Sequence, residues 1–262
     1  MKALNNKFVK AGVDIVWYLV VFAVLQAVML QLAILIGNHA GVEQGISMAI
    51  GTALSGIATI GLFAWRCWSP YSRTYISTRP WAALLWVCPL AFGSILPSEW
   101  LLETMDVEFP DEMARIMTQI IGTPWGYLAI GILAPIAEEM VFRGAILRRL
   151  SDAMEGRKKW LAISVSAIVF GALHGNVPQF IHATVIGLLL GWMYIKTGSI
   201  VPGIVFHWIN NSIAFVAYHM LPQADDMKII DLFGGNPHSL YMALAFSMCI
   251  FIPSLLELRK RL

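Results

Sequence analysis

The sequence predicts an all-α, polytopic integral membrane protein of about eight transmembrane helices, with both termini cytoplasmic. Of the 262 residues, 58% are hydrophobic and only 13% are charged, whereas a soluble domain has roughly 25% charged residues. The mean hydropathy is +0.69. Since the apolar runs leave no stretch long enough for a soluble module, we expect a single transmembrane domain over residues 1–262.

Eight apolar runs are candidates for the membrane-spanning helices. A helix needs about 20 mostly apolar residues to cross the hydrocarbon core of a bilayer. The first run is too long for a signal-peptide core and lacks a convincing cleavage site, so we interpret it as a retained helix. The third run is short, and the fifth and sixth meet at Pro178. The runs cover approximately 11–36, 45–65, 80–97, 121–147, 158–178, 179–195, 199–220 and 240–257.

The charged residues between the runs predict the orientation, because cytoplasmic connections collect Lys and Arg. They predict that both termini and the 148–159 loop are cytoplasmic, with 98–118 and 221–239 on the opposite face. The host membrane is expected to be a bacterial plasma membrane. The cytoplasmic set is Lys2, Lys7, Lys10, Arg66, Arg73, Arg79, Arg148, Arg149, Arg157, Lys158, Lys159, Lys196, Arg259, Lys260 and Arg261. The opposite face has Arg115 and Lys228 among Glu43, Glu99, Glu103, Asp106, Glu108, Asp111, Glu112, Asp225, Asp226 and Asp231.

Two further local features lead to structural expectations. The connection at 98–120 begins with Ser98 and contains Pro110 followed by acids, which is typical of short helices lying on the outer surface. Gly187 and Gly191 lie four residues apart in the sixth run, a spacing that permits close helix packing. The three cysteines form no CxxC pair, so neither a disulfide framework nor a cysteine metal site is expected.

The fourth run contains the strongest motif, APIAEEMVFRG at 134–144. Adjacent glutamates point about 100° apart on a helix, so Glu138 and Glu139 cannot have the same role. Glu139 and Arg143 are four residues apart with the acid first, the favourable order for an ion pair on one face. Glu138 is left as the candidate base that activates water. Pro135 disturbs the helix three residues before Glu138. This favours a water-lined cavity around Glu138 over simple solvation of its carboxylate at the headgroups.

Two histidines in later runs supply complementary groups. Phe170 precedes His174 by one turn, and His207 shares a helical face with Asn211. Imidazole can share a proton with a base or donate to an oxyanion, and a side-chain amide is an oxyanion donor. Asn210 is the alternative partner of His207. Ionisable groups at membrane depth are rare and usually functional, whereas we interpret His182, His219 and His238 as ordinary packing residues and His39 as solvated.

The order Glu-Glu-x-x-x-Arg, Phe-x-x-x-His and His-x-x-x-Asn resembles the CPBP intramembrane endopeptidases. This family includes the type II CAAX prenyl proteases and the bacteriocin-processing or immunity (Abi) proteins. The motifs cover roughly 135–211, within a catalytic core of about 121–220. The resemblance implies that Glu138 and His174 activate the hydrolytic water and that His207 and Asn211 stabilise the oxyanion. It also implies supporting roles for Glu139, Arg143 and Phe170.

The cofactor requirement follows less directly. Glu138, His174 and His207 are the ligands that a zinc site with an open position would use. The chain has no His-Glu-x-x-His helix, the strongest sequence signature of a zinc peptidase. We therefore expect a glutamate-dependent mechanism without a cofactor, with zinc as the alternative.

Two other function classes are alternatives. Charges beside interrupted apolar helices also describe secondary transporters, but here the polar set lies in the fourth, fifth and seventh runs with no counterpart in the first three. A non-catalytic immunity or scaffold protein would use the same fold. The expected partners are the bilayer and a protein or peptide substrate, with a lipidated CAAX-type substrate suggested by the resemblance alone. The basic residues form no patch interleaved with aromatics, so no nucleic acid is expected.

Overall fold

The computed structural model describes residues 2–70, 72–105, 110–155, 158–221 and 228–262, and within these ranges the chain is helical with no strand. The all-α prediction is therefore confirmed for the described chain. Five of the charged residues used above to predict the orientation lie outside the described residues: Asp106, Glu108, Arg157, Asp225 and Asp226.

Each of the eight predicted runs coincides with a helix, although not always over its whole length. The first five helices are α1 Lys2–Ala40, α2 Gln44–Trp65, α3 Arg73–Ser77, α4 Trp81–Thr104 and α5 Asp111–Ile121. The last four are α7 Lys159–Ala172, α8 Val177–Thr197, α9 Val201–Met220 and α10 Pro237–Arg261, with a 3-10 turn at Ile229–Phe233 before α10. Helix α6 consists of four consecutive stretches, Tyr127–Leu133, Ala134–Glu139, Met140–Leu147 and Arg148–Ala153.

Among the described residues, five helices are long and apolar enough to cross a membrane: α1, α2, α4, α8 and α10. Helix α7 is apolar but has only 14 residues. Length and composition thus identify an integral membrane protein, while a total of eight spans with both termini cytoplasmic stays a prediction.

Two predicted boundaries are wrong. The segment 98–104 is not a separate surface helix but the end of α4, which continues through Pro97. Proline lacks an N–H and leaves the carbonyl four residues before it without a helical donor. Here that carbonyl belongs to Gly93, and it accepts a hydrogen bond from Ser247 Oγ of α10 at 3.1 Å. The neighbouring helix thereby compensates for the proline.

The fifth run ends at Ala172 rather than at 178. The chain turns through Gly175, which has a positive φ of 72°, and α8 begins after Asn176. The side chain of Asn176 accepts a hydrogen bond from the backbone N–H of Gln179 at 3.0 Å. Pro178 lies within the first two positions of α8, where its missing N–H costs nothing.

The packing places α6 at the centre of the bundle. Helices α1, α2, α7 and α9 all contact it, and every residue of Met140–Leu147 is buried. Helices α7 and α8 pack closely, as the glycine spacing predicts. A Cβ added to Gly187 would lie 3.0 Å from Ala167 Cβ, and one added to Gly191 would lie 2.9 Å from Ile163. The C-terminal end of α6 is bonded to α1, because Arg149 Nε donates to Asp14 Oδ2 at 2.6 Å.

We expect thiol labelling to test the orientation. The native Cys67, Cys88 and Cys249 are free thiols and would first be changed to serine. A membrane-impermeant maleimide added to intact cells should modify Glu112→Cys and should modify Lys158→Cys only after permeabilisation, because basic connections stay cytoplasmic. The opposite labelling pattern would show that the orientation is inverted.

Candidate active site

The two adjacent glutamates lie in a short α-helical stretch that is flanked by π-helical stretches on both sides. Tyr127–Leu133 and Met140–Leu147 are π-helical, and Ala134–Glu139 between them is α-helical. Such wide turns are rare and often occur at functional sites. Each change of helix type alters which side chains share a face along α6.

Pro135 explains one contact of this irregular region. The Ile130 carbonyl lies five residues before Pro135, the position from which a π-helix would accept the N–H that proline lacks. This carbonyl accepts a hydrogen bond from Asn211 Nδ2 of α9 at 3.0 Å. A side-chain amide has two N–H donors, so one remains for another acceptor. The contact orients the Asn211 amide, while the choice of Asn211 over Asn210 as the partner of His207 stays a prediction.

The Glu139–Arg143 pair is formed in the bundle interior. Arg143 Nη1 donates to Glu139 Oε1 at 2.7 Å, and the two side chains are 1% and 0% exposed. Arg143 also donates from Nη2 to the Gly187 carbonyl of α8 at 3.4 Å. Its guanidinium carbon lies 4.4 Å from the centroid of the Phe170 ring of α7, a cation–π geometry. The pair therefore connects α6 with two further helices.

Close approach to this pair requires glycine on both neighbouring helices. A Cβ on Gly203 of α9 would lie 2.4 Å from Glu139 Oε2, and one on Gly187 of α8 would lie 3.1 Å from Arg143 Nη2. Any larger residue would displace the buried charges. Gly203 is not among the residues predicted from the sequence, and its position four residues before His207 was the available signal.

His207 lies between the two carboxylates. Its Nε2 is 3.6 Å from Glu138 Oε2, and its Nδ1 is 3.6 Å from Glu139 Oε1. These distances are too long for strong hydrogen bonds. Glu139 is sealed from solvent, whereas Glu138 keeps 18% of its side-chain surface. The structure thus separates the two acids into one buried group and one accessible group.

Phe170 brings the second histidine to the site. The Phe170 ring contacts His174 edge-on at 5.1 Å and His207 edge-on at 5.9 Å between centroids. His174 Nδ1 lies 3.0 Å from the Phe170 carbonyl. Because a carbonyl can only accept, Nδ1 carries the proton and Nε2 of the neutral ring is free to accept one. His174 and His207 therefore share a neighbour, and Glu138 faces His207.

A zinc site would require Glu138, His174 and His207 to form one ligand group. Across the part of the chain that the structure describes, no three His, Cys, Asp or Glu side chains form a group that could hold a metal ion. The set Glu138, His174 and His207 is therefore not assembled as a ligand group among the described residues.

The other four histidines differ in their contacts and in their exposure. His219 Nδ1 bonds its own helix at the Phe215 carbonyl, and His39 and His238 are exposed. His182 is not an ordinary packing residue: it lies 3.9 Å from Glu99 of α4 and lines a cavity of about 270 Å³ between α4, α8 and α10. The sequence predicts Glu99 in an outer loop, so it does not predict the contact between Glu99 and His182.

Residues 120–213 match the family model described as Rce1-like, type II CAAX prenyl endopeptidase Rce1-like. This range contains every residue of the three motifs, so the resemblance predicted from them is confirmed over this segment. The family that this segment resembles is a protease family. No curated protein and no solved structure matches the chain.

The buried ion pair gives a stability prediction. Arg143→Ala leaves the Glu139 carboxylate buried without its cation, which should lower the free energy of unfolding by about 3–5 kcal/mol. The double change Glu139→Gln with Arg143→Met keeps most of the volume and should cost less. Thermal unfolding in detergent would measure both variants.

Arg149→Ala is the matched control for this experiment. Its partner Asp14 and Arg149 itself are 31% and 28% exposed, and pairs of this kind contribute about 0–1 kcal/mol. An Arg143→Ala protein that is as stable as the Arg149→Ala control would show that the buried pair is not a structural requirement.

Proposed function

We propose that this protein is an intramembrane endopeptidase that hydrolyses a peptide bond close to the membrane in a lipidated, CAAX-type protein or peptide. The observation that supports the proposal most strongly is the separation of the two acids. Glu139 is neutralised by Arg143 inside the bundle, while the accessible Glu138 faces His207 at 3.6 Å. A free carboxylate beside an imidazole is the pair that general-base hydrolysis needs.

In the proposed reaction, Glu138 accepts a proton from water while the water oxygen attacks the carbonyl carbon of the scissile bond. His174 assists, because its Nδ1 proton is committed to the Phe170 carbonyl and its Nε2 can accept a proton. The carbonyl oxygen becomes an oxyanion. When the intermediate collapses, the C–N bond breaks and the proton that Glu138 took from water passes to the leaving amine. The products are a carboxylic acid and an amine.

The oxyanion requires donors that are already oriented before the reaction. Asn211 is held by its bond to the Ile130 carbonyl and keeps its second amide N–H for this role. His207 is the second donor, and its ring lies between the two glutamates. Both residues lie on one face of α9, one turn apart.

The cavity beside α8 supports a substrate with an apolar chain. It is lined almost entirely by apolar side chains, with His182 at its wall. Ligand sites are usually apolar cavities with a few polar groups. Helix α8 separates this cavity from the catalytic cluster, since Gly187 contacts Arg143 while the neighbouring Ile186 lines the cavity. We propose that the lipid chain of the substrate occupies this cavity and that the attached peptide reaches past α8 to the catalytic groups.

We expect peptidase activity of the purified protein to depend on Glu138 and less completely on Asn211. Glu138→Gln should remove detectable turnover of a lipidated peptide, because the base is lost. Asn211→Ala should reduce turnover by about 10²–10³ and leave a measurable residue, because a single oxyanion donor is lost. Glu112→Gln, an exposed acid on α5, is the control and should be fully active. Full activity of Glu138→Gln would exclude the mechanism.

The same assay tests the zinc alternative. A strong membrane-permeant chelator should leave turnover unchanged. Loss of activity with the chelator and its return with added zinc would instead make Glu138 a metal ligand, because metal binding would then be linked to activity.

The cavity leads to a prediction about specificity. Val185→Phe narrows the cavity and should lower kcat/KM for a lipidated peptide by about tenfold or more, with little effect on the same peptide without its lipid. Val28→Phe on α1 is the matched control, since Val28 and Val185 are 45% and 46% exposed and only Val185 lines the cavity. Equal effects on both peptides would show that the lipid does not occupy the cavity.

A further inference from the structure

We infer that Tyr127 is a positioning residue for the oxyanion donor Asn211, acting through a closed circuit of hydrogen bonds between α6 and α9. The inference rests on the proposed function and adds a residue that the motifs do not contain. Tyr127 lies at the start of the first π-helical stretch of α6, seven residues before the first motif residue, Ala134.

Three distances define the circuit. Trp208 Nε1 lies 3.0 Å from the Tyr127 hydroxyl, the Tyr127 hydroxyl lies 3.0 Å from Ser212 Oγ, and Ser212 Oγ lies 2.6 Å from the Trp208 carbonyl. The direction of each bond follows from the chemistry of the groups. An indole N–H can only donate and a carbonyl can only accept. Tyr127 therefore accepts from Trp208 and donates to Ser212, which donates to the carbonyl.

The circuit fixes the rotation of α9 about its own axis. Trp208 and Ser212 each follow a proposed catalytic residue, His207 and Asn211, by one position. Successive residues point about 100° apart on a helix. Holding the Trp208 and Ser212 face against Tyr127 therefore determines where the His207 and Asn211 face points.

A second bond joins the same two segments. Asn211 Nδ2 donates to the Ile130 carbonyl, three residues after Tyr127. With the circuit intact, α6 and α9 together hold the Asn211 amide in one orientation. Without the Tyr127 hydroxyl, the bond to Ile130 alone must hold Asn211, and its second N–H is no longer directed. A misplacement of about 1 Å can cost on the order of 10²-fold in rate.

The ring of Tyr127 and its hydroxyl have separable roles. The ring packs against Phe215 with 5.2 Å between centroids. It also lies against Gly131, where an added Cβ would be 2.5 Å from the ring. Phenylalanine at 127 keeps these contacts and removes only the hydroxyl. Tyr127→Phe therefore tests the circuit without creating a packing defect.

The experiment is a double-mutant cycle on the full-length protein with a lipidated peptide. Tyr127→Phe should lower kcat by about 10- to 100-fold and leave KM unchanged. The same change in an Asn211→Ala protein should have no further effect, because the group that Tyr127 positions is already gone. Tyr218→Phe, on α9 and outside the circuit, is the control and should leave kcat unchanged. An equal loss in both backgrounds would show a general structural role and overturn the inference.

A measurement without activity separates this inference from the proposed function. In ¹⁵N-tryptophan-labelled protein, the indole N–H signal that disappears in Trp208→Phe belongs to Trp208. This signal should shift upfield in Tyr127→Phe and stay in place in Tyr218→Phe. An unmoved signal would exclude the circuit, even if the enzyme is active. Wild-type protein without peptidase activity would overturn the proposed function and with it the role of Tyr127, while the signal would still report the hydrogen bond.

Discussion

The buried pair of Glu139 and Arg143 is the interaction on which the arrangement of the site depends. Two charges inside a helical bundle are tolerated only when they are paired and hydrogen-bonded. Arg143 satisfies this constraint with Glu139, the Gly187 carbonyl and the face of Phe170, while His207 approaches Glu139 from α9. One ion pair thus fixes the relative positions of α6, α7, α8 and α9, and it restricts two facing positions to glycine.

The irregular geometry of α6 adds further bonds between α6 and its neighbouring helices. Its π-helical stretches change the pattern of backbone hydrogen bonds, and neighbouring side chains bond the carbonyls there. Asn211 donates to Ile130, Ser166 of α7 donates to Phe142 at 2.9 Å, and Arg148 donates to Gly144 at 3.0 Å. Because a carbonyl in an apolar bundle needs a donor, these three bonds connect the irregular stretches to α9, to α7 and to the next turn of α6. The same turns that orient the two glutamates therefore anchor the helix that holds them.

Adjacent glutamates acquire different chemistry from their surroundings alone. Glu139 meets a cation, a glycine backbone and an imidazole, with no access to solvent. Glu138 keeps part of its surface accessible and faces the opposite nitrogen of the same imidazole. His207 thus contacts both acids through the opposite nitrogens of one ring.

The sequence by itself determined the all-α membrane class, the eight helical runs, the Glu139–Arg143 pair and the Gly187–Gly191 packing, because these depend on composition and on spacings of three or four residues within one helix. Tertiary structure decided the rest. The continuation of α4 through Pro97 depends on Ser247, the orientation of the Asn211 amide depends on the Ile130 carbonyl, and the cavity wall at His182 depends on three helices. Each of these features joins residues that are distant in the chain. Helical periodicity predicts which side chains share a face, but only packing determines what that face meets.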